Sequence, residues 1–144
     1  MVEIVDMEMP EIISLLQEVD YAHLACSRSN HPYIVPIHYV YREPFLYLLT
    51  TEGKKTDILA VNSEVCIQVE KVQSASQWRS VVLNGKVKRM MQAAERDEAL
   101  AIIRERNPSL TPARSRTWKD NWGFEHIQVI YRIQPDAISG RKTL

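Results

Sequence analysis

Residues 46–55 read Leu-Tyr-Leu-Leu-Thr-Thr-Glu-Gly-Lys-Lys, and residues 33–41 before them read Tyr-Ile-Val-Pro-Ile-His-Tyr-Val-Tyr. Both runs are rich in β-branched and aromatic residues, which favour strands. Glu43 and Pro44 lie between them and are typical turn residues. This spacing predicts two adjacent antiparallel strands, followed after Gly53 by a helix.

The rest of the chain continues this pattern of short strands and few helices. We predict helices over residues 10–19, 54–62 and 93–106, and strands over residues 21–27, 33–42, 45–51, 64–71, 78–90 and 124–133. Pro36 marks an edge position or a bulge, and Gly85 marks a bend inside a long strand. Such strands favour a barrel over an open sheet. The predicted fold is mainly β with flanking helices, a six-stranded antiparallel barrel in a single domain, residues 1–144.

The composition is that of an ordinary globular protein. Of the 144 residues, 45% are hydrophobic and 25% are charged, and 18 basic residues balance 18 acidic ones. A dedicated nucleic-acid binder usually carries a basic excess, so nucleic acid is not expected as a partner. Lys86, Lys88 and Arg89 form a basic strand face beside Trp78, which keeps a nucleic-acid-binding barrel as an alternative.

Neither a membrane location nor a metal site is predicted. Residues 1–10 carry three acidic side chains and no basic start, unlike a signal peptide, and no apolar run approaches about 18 residues. We therefore expect a cytoplasmic protein. Cys26 and Cys66 lack a C-x-x-C partner or a His at ligand spacing, so we expect two small buried residues and neither a disulfide nor a metal.

The segment Thr50-Thr51-Glu52-Gly53-Lys54-Lys55 is the strongest candidate site. It places two hydroxyls, a glycine and two lysines at the start of a predicted helix. Cations are unfavourable at that end of the helix dipole, and a bound anion would reverse the penalty. The segment therefore predicts a phosphate site without a Walker motif. The alternative is a pair of solvated lysines in a turn, and these residues alone leave both open.

Two other segments carry residues that could meet a ligand. Ser80 lies on the polar face of a strand that could neighbour the Thr50 strand. Pro36 leaves nearby backbone groups free, and His38 shares its face. The ordinary alternatives are an exposed strand face for Ser80 and an edge or core position for His38. Walker, Rossmann, hydrolase and zincin motifs are absent from the sequence, so the residues do not define a reaction.

Four stretches, taken in order, carry a resemblance to a known family. They are the two runs quoted above, Asn-Ser-Glu-Val-Cys-Ile at residues 62–67, and Trp-Arg-Ser-Val-Val-Leu-Asn-Gly at residues 78–85. Their order and spacing resemble the pyridoxamine 5′-phosphate oxidase-related, FMN-binding split-barrel family, and most closely its small, nitroimidazole-reductase-like branch. The resemblance implies a six-stranded split barrel that works as a homodimer, with FMN at the subunit interface.

The resemblance also implies roles for particular residues. The FMN phosphate would be held by hydroxyl and ammonium groups of the second run: Thr50, Thr51, Lys54 and Lys55. The isoalloxazine ring would be bordered by the backbone of four consecutive residues: Pro36, Ile37, His38 and Tyr39. Ser80 and Val81 would lie along the same ligand, and Trp122 would reach the ring from the partner subunit.

The function implied by the resemblance is an FMN-dependent oxidoreductase acting on an unidentified small molecule. No catalytic residue stands out, and His38 is the candidate nearest the substrate. A flavin-binding or redox-sensing module without turnover and a haem-binding member of the same superfamily are alternatives. The residues around Gly140-Arg141-Lys142 differ from the Arg- and His-rich substrate segment of the pyridoxamine-phosphate-oxidising enzymes, so oxidation of vitamin B6 is not expected.

Overall fold

The computed structural model describes residues 1–106 and 128–144. Within these residues lie three helices: α1 (Met9–Glu18), α2 (Lys54–Val61) and α3 (Ala93–Arg106). The strands are β1 (Ile4–Asp6), β2 (Tyr21–Arg28), β3 (His31–Arg42), β4 (Phe45–Thr51), β5 (Glu64–Ser74), β6 (Gln77–Arg89) and β7 (Gln128–Thr143). The predicted fold class, mainly β with flanking helices, is confirmed, and the short strand β1 is added to the six that were predicted.

The strands form one antiparallel sheet that closes into a ring. Their order is β1-β7-β4-β3-β2-β5-β6, and β6 also pairs with β7. β7 closes the ring because its residues 131–133 pair with β4 on one side and with β6 on the other. β1 pairs with the far end of β7, where Ile4 lies opposite Thr143.

The last strand is longer than the sequence predicts. We predict that it ends at Ile133, yet β7 continues to Thr143. Pro135 is tolerated because it lies opposite Gly85 at an irregularity of the β6–β7 pairing, beyond the residues that pair with β4. Gly85 allows this close approach, since a Cβ atom there would lie 3.1 Å from the Gln134 carbonyl oxygen.

Strand alternation divides the apolar residues between two cores. Leu46 and Leu48 of β4 point into the barrel, whereas Tyr47 points outward. The outward core packs α3 against β3, β4 and β7, and its buried members are Val40, Tyr47, Met90, Ala99, Ile102, Ile103 and Ile130. The outer sheet face over β2, β5 and the first part of β3, residues 31–38, therefore has no helix on it within the described residues.

The two remaining helices close opposite ends of the barrel. α1 lies at the end where β2 begins, and its Leu16 carbonyl accepts a 2.9 Å hydrogen bond from the buried Tyr39 hydroxyl. α2 lies at the other end, where Asn62 donates a 2.9 Å hydrogen bond to the Ser27 carbonyl. Both helices add buried side chains to the barrel interior. Helical side chains therefore cover the barrel interior at both ends.

Candidate functional site

The barrel opens between β3 and β4. These strands pair only over residues 39–42 of β3 and 45–48 of β4. Beyond that point β3 pairs with β2 alone, whereas residues 49–51 of β4 pair with β7. Pro36 lies in the separated part of β3, which confirms its predicted edge position. The result is a cleft whose β3 wall has backbone groups without a partner on β4.

Helix α2 begins at this cleft. Gly53 precedes the helix, and its amide donates a 2.8 Å hydrogen bond to the Thr56 hydroxyl, which in turn donates to the Gly53 carbonyl. The first bond within the helix runs from the Asp57 amide to the Gly53 carbonyl, at 3.0 Å. The amides of Lys54 and Lys55 precede it and have no acceptor within the helix. They are the donors that an anion would meet at this end of α2.

The two lysines lie in different surroundings. Lys54 is exposed, and its Nζ lies 4.7 Å from the centroid of the Tyr33 ring of β3. Lys55 is half-buried, and burial lowers the pKa of its ammonium, while the Cys26 thiol acts in the opposite direction. No carboxylate pairs with Lys55 among residues 1–106 and 128–144. A half-buried cation without a counter-charge is costly unless a ligand supplies one.

Arg89 is a member of this region that our sequence analysis placed elsewhere. Its guanidinium pairs with Glu52, and this hydrogen bond is the main reason why the pKa of Glu52 lies below its usual value. The buried Arg89 Nε has no hydrogen-bond partner in the part of the chain that the structure describes. We had grouped Arg89 with Lys86 and Lys88, but strand alternation puts it on the opposite face. Strand alternation in the sequence could therefore have placed Arg89 on this side of the sheet.

The predicted ligand residues of β3 and β4 are distributed over both faces of the sheet. Thr50 and Thr51 are half-buried at the end of β4. Pro36 and His38 are exposed, whereas Ile37 and Tyr39 point into the barrel. Because the side chains of Ile37 and Tyr39 point into the barrel, these two residues can border a ligand in the cleft only through their backbone groups.

Ser80 and Val81 are not brought to this cleft within one chain. We expected their strand to neighbour β4, but β7 lies between β4 and β6, because β7 is long enough to pair with both. Ser80 accepts a 2.9 Å hydrogen bond from the Gln68 amide, and Val81 is fully buried. Their predicted contact with the ligand stays a prediction. Trp122 lies outside the described residues.

His38 lies on the helix-free face of the sheet. The Tyr21 ring lies edge-on to it, with centroids 6.3 Å apart, and the Tyr21 hydroxyl lies 3.2 Å from His23 Nε2. Cys26 is buried as predicted, but Cys66 is only half-buried because it faces outward from β5. Within the described residues, no group of three or more His, Cys, Asp or Glu side chains could hold a metal ion. None of the described helices is long and apolar enough to cross a membrane.

The ring of strands with β3 and β4 parted at one end is the architecture of a split barrel. The structure is similar to that of a FAD-binding protein from Mesorhizobium loti, with a TM-score of 0.77, 24% identity, and coverage of 100% of this chain and 99% of the other. A putative 5-nitroimidazole antibiotic resistance protein from Bacteroides thetaiotaomicron gives a TM-score of 0.76 at 21% identity, covering 99% and 89% of the two chains.

The sequence itself shows the family. Residues 8–142 match the family model described as pyridoxamine 5′-phosphate oxidase, and the chain belongs to that family. An uncharacterized protein of Rhizobium meliloti is 28% identical over 126 residues, which are 85% of this chain and 83% of the relative. The family resemblance drawn from the four quoted stretches is therefore confirmed.

Proposed function

We propose that this protein is a cytoplasmic flavoprotein that binds FMN through its phosphate at the start of α2 and acts as an oxidoreductase on a small molecule. The observation that carries the proposal is the half-buried Lys55, which has no carboxylate partner among the described residues. The free amides at the start of α2 and the neighbouring Lys54 would add donors to the same anion. A phosphate monoester dianion matches this set in charge.

The cleft beside the helix suits the rest of the cofactor. The backbone groups of β3 that are not paired with β4 offer donors and acceptors to the edge of a planar ring. Proteins that are similar in fold include ones described as FAD-binding. We propose FMN rather than FAD because the donors converge at a helix start, where a terminal dianion gains most. When bound, the flavin would supply hydride or electron transfer, and this chain would bind and orient it.

A second copy of this chain is proposed as the partner. The helix-free sheet face carries two exposed large residues, Ile34 and Tyr21, with relative exposures of 65% and 42%. A subunit packed there would cover His38 and the outer side of β3, which borders the cleft. We expect Ile34→Asp to give monomers by light scattering after size exclusion. Met91→Asp, a matched change at a residue 69% exposed elsewhere, should leave dimers.

The test of the cofactor is a visible absorbance titration of the purified protein with FMN and, separately, with FAD. Retention of about one FMN per chain, with weaker retention of FAD, would support the proposal. Retention of neither, or a Soret band on adding haem, would contradict it. A steady-state assay with NADH or NADPH and a nitroaromatic acceptor then distinguishes a reductase from a flavin-binding module without turnover. The His38→Ala variant tests whether that residue contributes to turnover.

A further inference from the structure

A groove of about 370 Å³ lies on the outer face of β6 and β7, near the start of β4. Its lining residues are Phe45, Lys86, Lys88, Arg132, Gln134, Pro135 and Asp136. Three of them are cations and one is an anion, so the lining has a positive excess of two. This groove is separate from the cleft beside α2, because Phe45 and Thr51 lie at opposite ends of β4, roughly 20 Å apart along an extended strand.

The cations are placed against one another by strand pairing. Lys88 lies directly opposite Arg132, and Lys86 lies opposite Gln134 on the next outward position. Like charges opposite each other on neighbouring strands are destabilising. The Glu95 carboxylate lies 3.6 Å from Lys88, and Glu64 of β5 lies opposite Lys86, whereas Arg132 has no ion-pair partner in the part of the chain described. The fold therefore holds three cations together and leaves Arg132 as the one without a paired or opposing carboxylate among the described residues.

Arg132 is held in place by aromatic contacts. Its guanidinium carbon lies 4.3 Å from the centroid of the Phe45 ring, and that ring packs edge-on to Tyr47 with centroids 6.2 Å apart. A guanidinium stacked on a ring keeps its N–H edge available and loses less rotational freedom when it binds an oxyanion. Phe45 thus holds a donor group in the groove that the two lysines of β6 also line.

We propose that this groove binds a small molecule carrying a diphosphate group. Lys86 and Lys88 are two residues apart on one strand, a spacing of roughly 7 Å that suits negative charge spread over two adjoining phosphates. Asp136 also lines the groove, and its negative charge disfavours a long polyanion that would extend over it. β7 lies across the ring from β2, so the sheet face proposed for subunit contact leaves the groove open.

The experiment is calorimetric titration of inorganic pyrophosphate, and separately of ADP, into the protein saturated with FMN so that the phosphate site beside α2 is filled. Saturable binding of either at low salt, at least tenfold tighter than binding of orthophosphate, is expected. Tighter binding of ADP than of pyrophosphate would identify a nucleotide as the source of the diphosphate. Lys86→Gln and Arg132→Gln should each weaken pyrophosphate binding about tenfold. Arg104→Gln, which removes an exposed charge from α3, should not.

A thermal readout distinguishes a ligand site from general charge attraction. Pyrophosphate should raise the melting temperature of the unmodified protein, and Arg132→Gln should abolish that rise. Absence of pyrophosphate binding, equal binding by all variants, or tighter binding of a single-stranded oligonucleotide would each overturn the proposal. If FMN is not retained, the same titration on Lys55→Glu protein keeps this test independent of the proposed cofactor.

Discussion

The two ends of the barrel differ in whether their cations are paired with carboxylates. At the end closed by α1, the lysines and arginine of β5, β6 and β7 face carboxylates: Lys142 pairs with Glu11, and Lys71 and Arg79 both pair with Glu18. At the end closed by α2, Lys55 is half-buried and pairs with no carboxylate of the described residues. Each helix also contributes buried side chains to the barrel core.

The α1 end therefore carries compensated charges, whereas the α2 end carries a half-buried cation without a carboxylate partner among the described residues. Exposed ion pairs such as those around α1 contribute little to stability because solvent screens them. These pairs nevertheless compensate the cations at this end, so that no further counter-ion is needed there. Lys55 is partly desolvated without such a carboxylate. Burying its charge costs free energy of folding that no ion pair among the described residues offsets. The α2 end is therefore the place to look for an anionic ligand.

The largest expected effect comes from reversing both charges at the α2 end. Lys54→Glu/Lys55→Glu should weaken FMN binding at least 100-fold, because attraction is replaced by repulsion against the phosphate. Fluorescence titration of FMN measures this. The matched double variant Arg104→Glu/Arg106→Glu on α3 should bind FMN as the unmodified protein does. Retained affinity in the first variant would place the phosphate elsewhere.

A smaller effect is expected when the charge of Lys55 is removed without reversal. Lys55→Met should weaken FMN binding about tenfold and raise the melting temperature of the cofactor-free protein, since the burial penalty disappears. In the unmodified protein, burial lowers the pKa of Lys55 in the folded state below the unfolded value of 10.5. FMN affinity should therefore fall as pH rises through that lowered pKa, and stability of the cofactor-free protein should rise. If FMN binding by Lys55→Met showed the same dependence on alkaline pH as binding by the unmodified protein, the role of Lys55 in holding the phosphate would be contradicted.

A substitution of Glu52 tests whether Arg89, whose charge Glu52 compensates, lies close enough to attract the same anion. Glu52→Gln releases Arg89 from its ion pair, so we expect FMN to bind about threefold more tightly at low ionic strength. Calorimetry at two salt concentrations would show the gain and its screening. Unchanged affinity would mean that Arg89 serves only to hold the segment before α2.

The smallest effect is expected at the α1 end. Glu18→Gln should leave FMN affinity unchanged and lower stability by less than about 1 kcal/mol, because the pairs are exposed. The hydrogen bond from Lys71 holds the pKa of Glu18 below 4.5 in the folded protein. The contribution is therefore present above about pH 4.5 and lost as pH falls through the lowered pKa. Urea unfolding at pH 7 and pH 3 measures it, and an equal loss at both values would argue against the ion pairs as its source.

Most of the secondary structure could be predicted from local pattern. The helix bounds differ from the predicted ones by no more than one residue, because caps and apolar spacing are local signals. β1 was missed because three residues carry little alternation, and its pairing partner lies at the other end of the chain. The predicted end of β7 was wrong because the strand continues through Pro135. This proline fits where β4 no longer pairs with β7 and where Gly85 lies opposite it, which local pattern does not show.

The sequence by itself determined most of the barrel strands and the family, and it predicted the segment Thr50–Lys55 as a place for an anion. Each strand, each of the four stretches behind the family resemblance, and the segment Thr50–Lys55 is a run of residues that are close in the chain. Only the tertiary structure decided that β7 separates β4 from β6, that Lys55 lacks a carboxylate partner in the described residues, and that Arg89 faces Glu52. Strand order and charge compensation are set by residues far apart in sequence, and pairing across the ring is what brings them together.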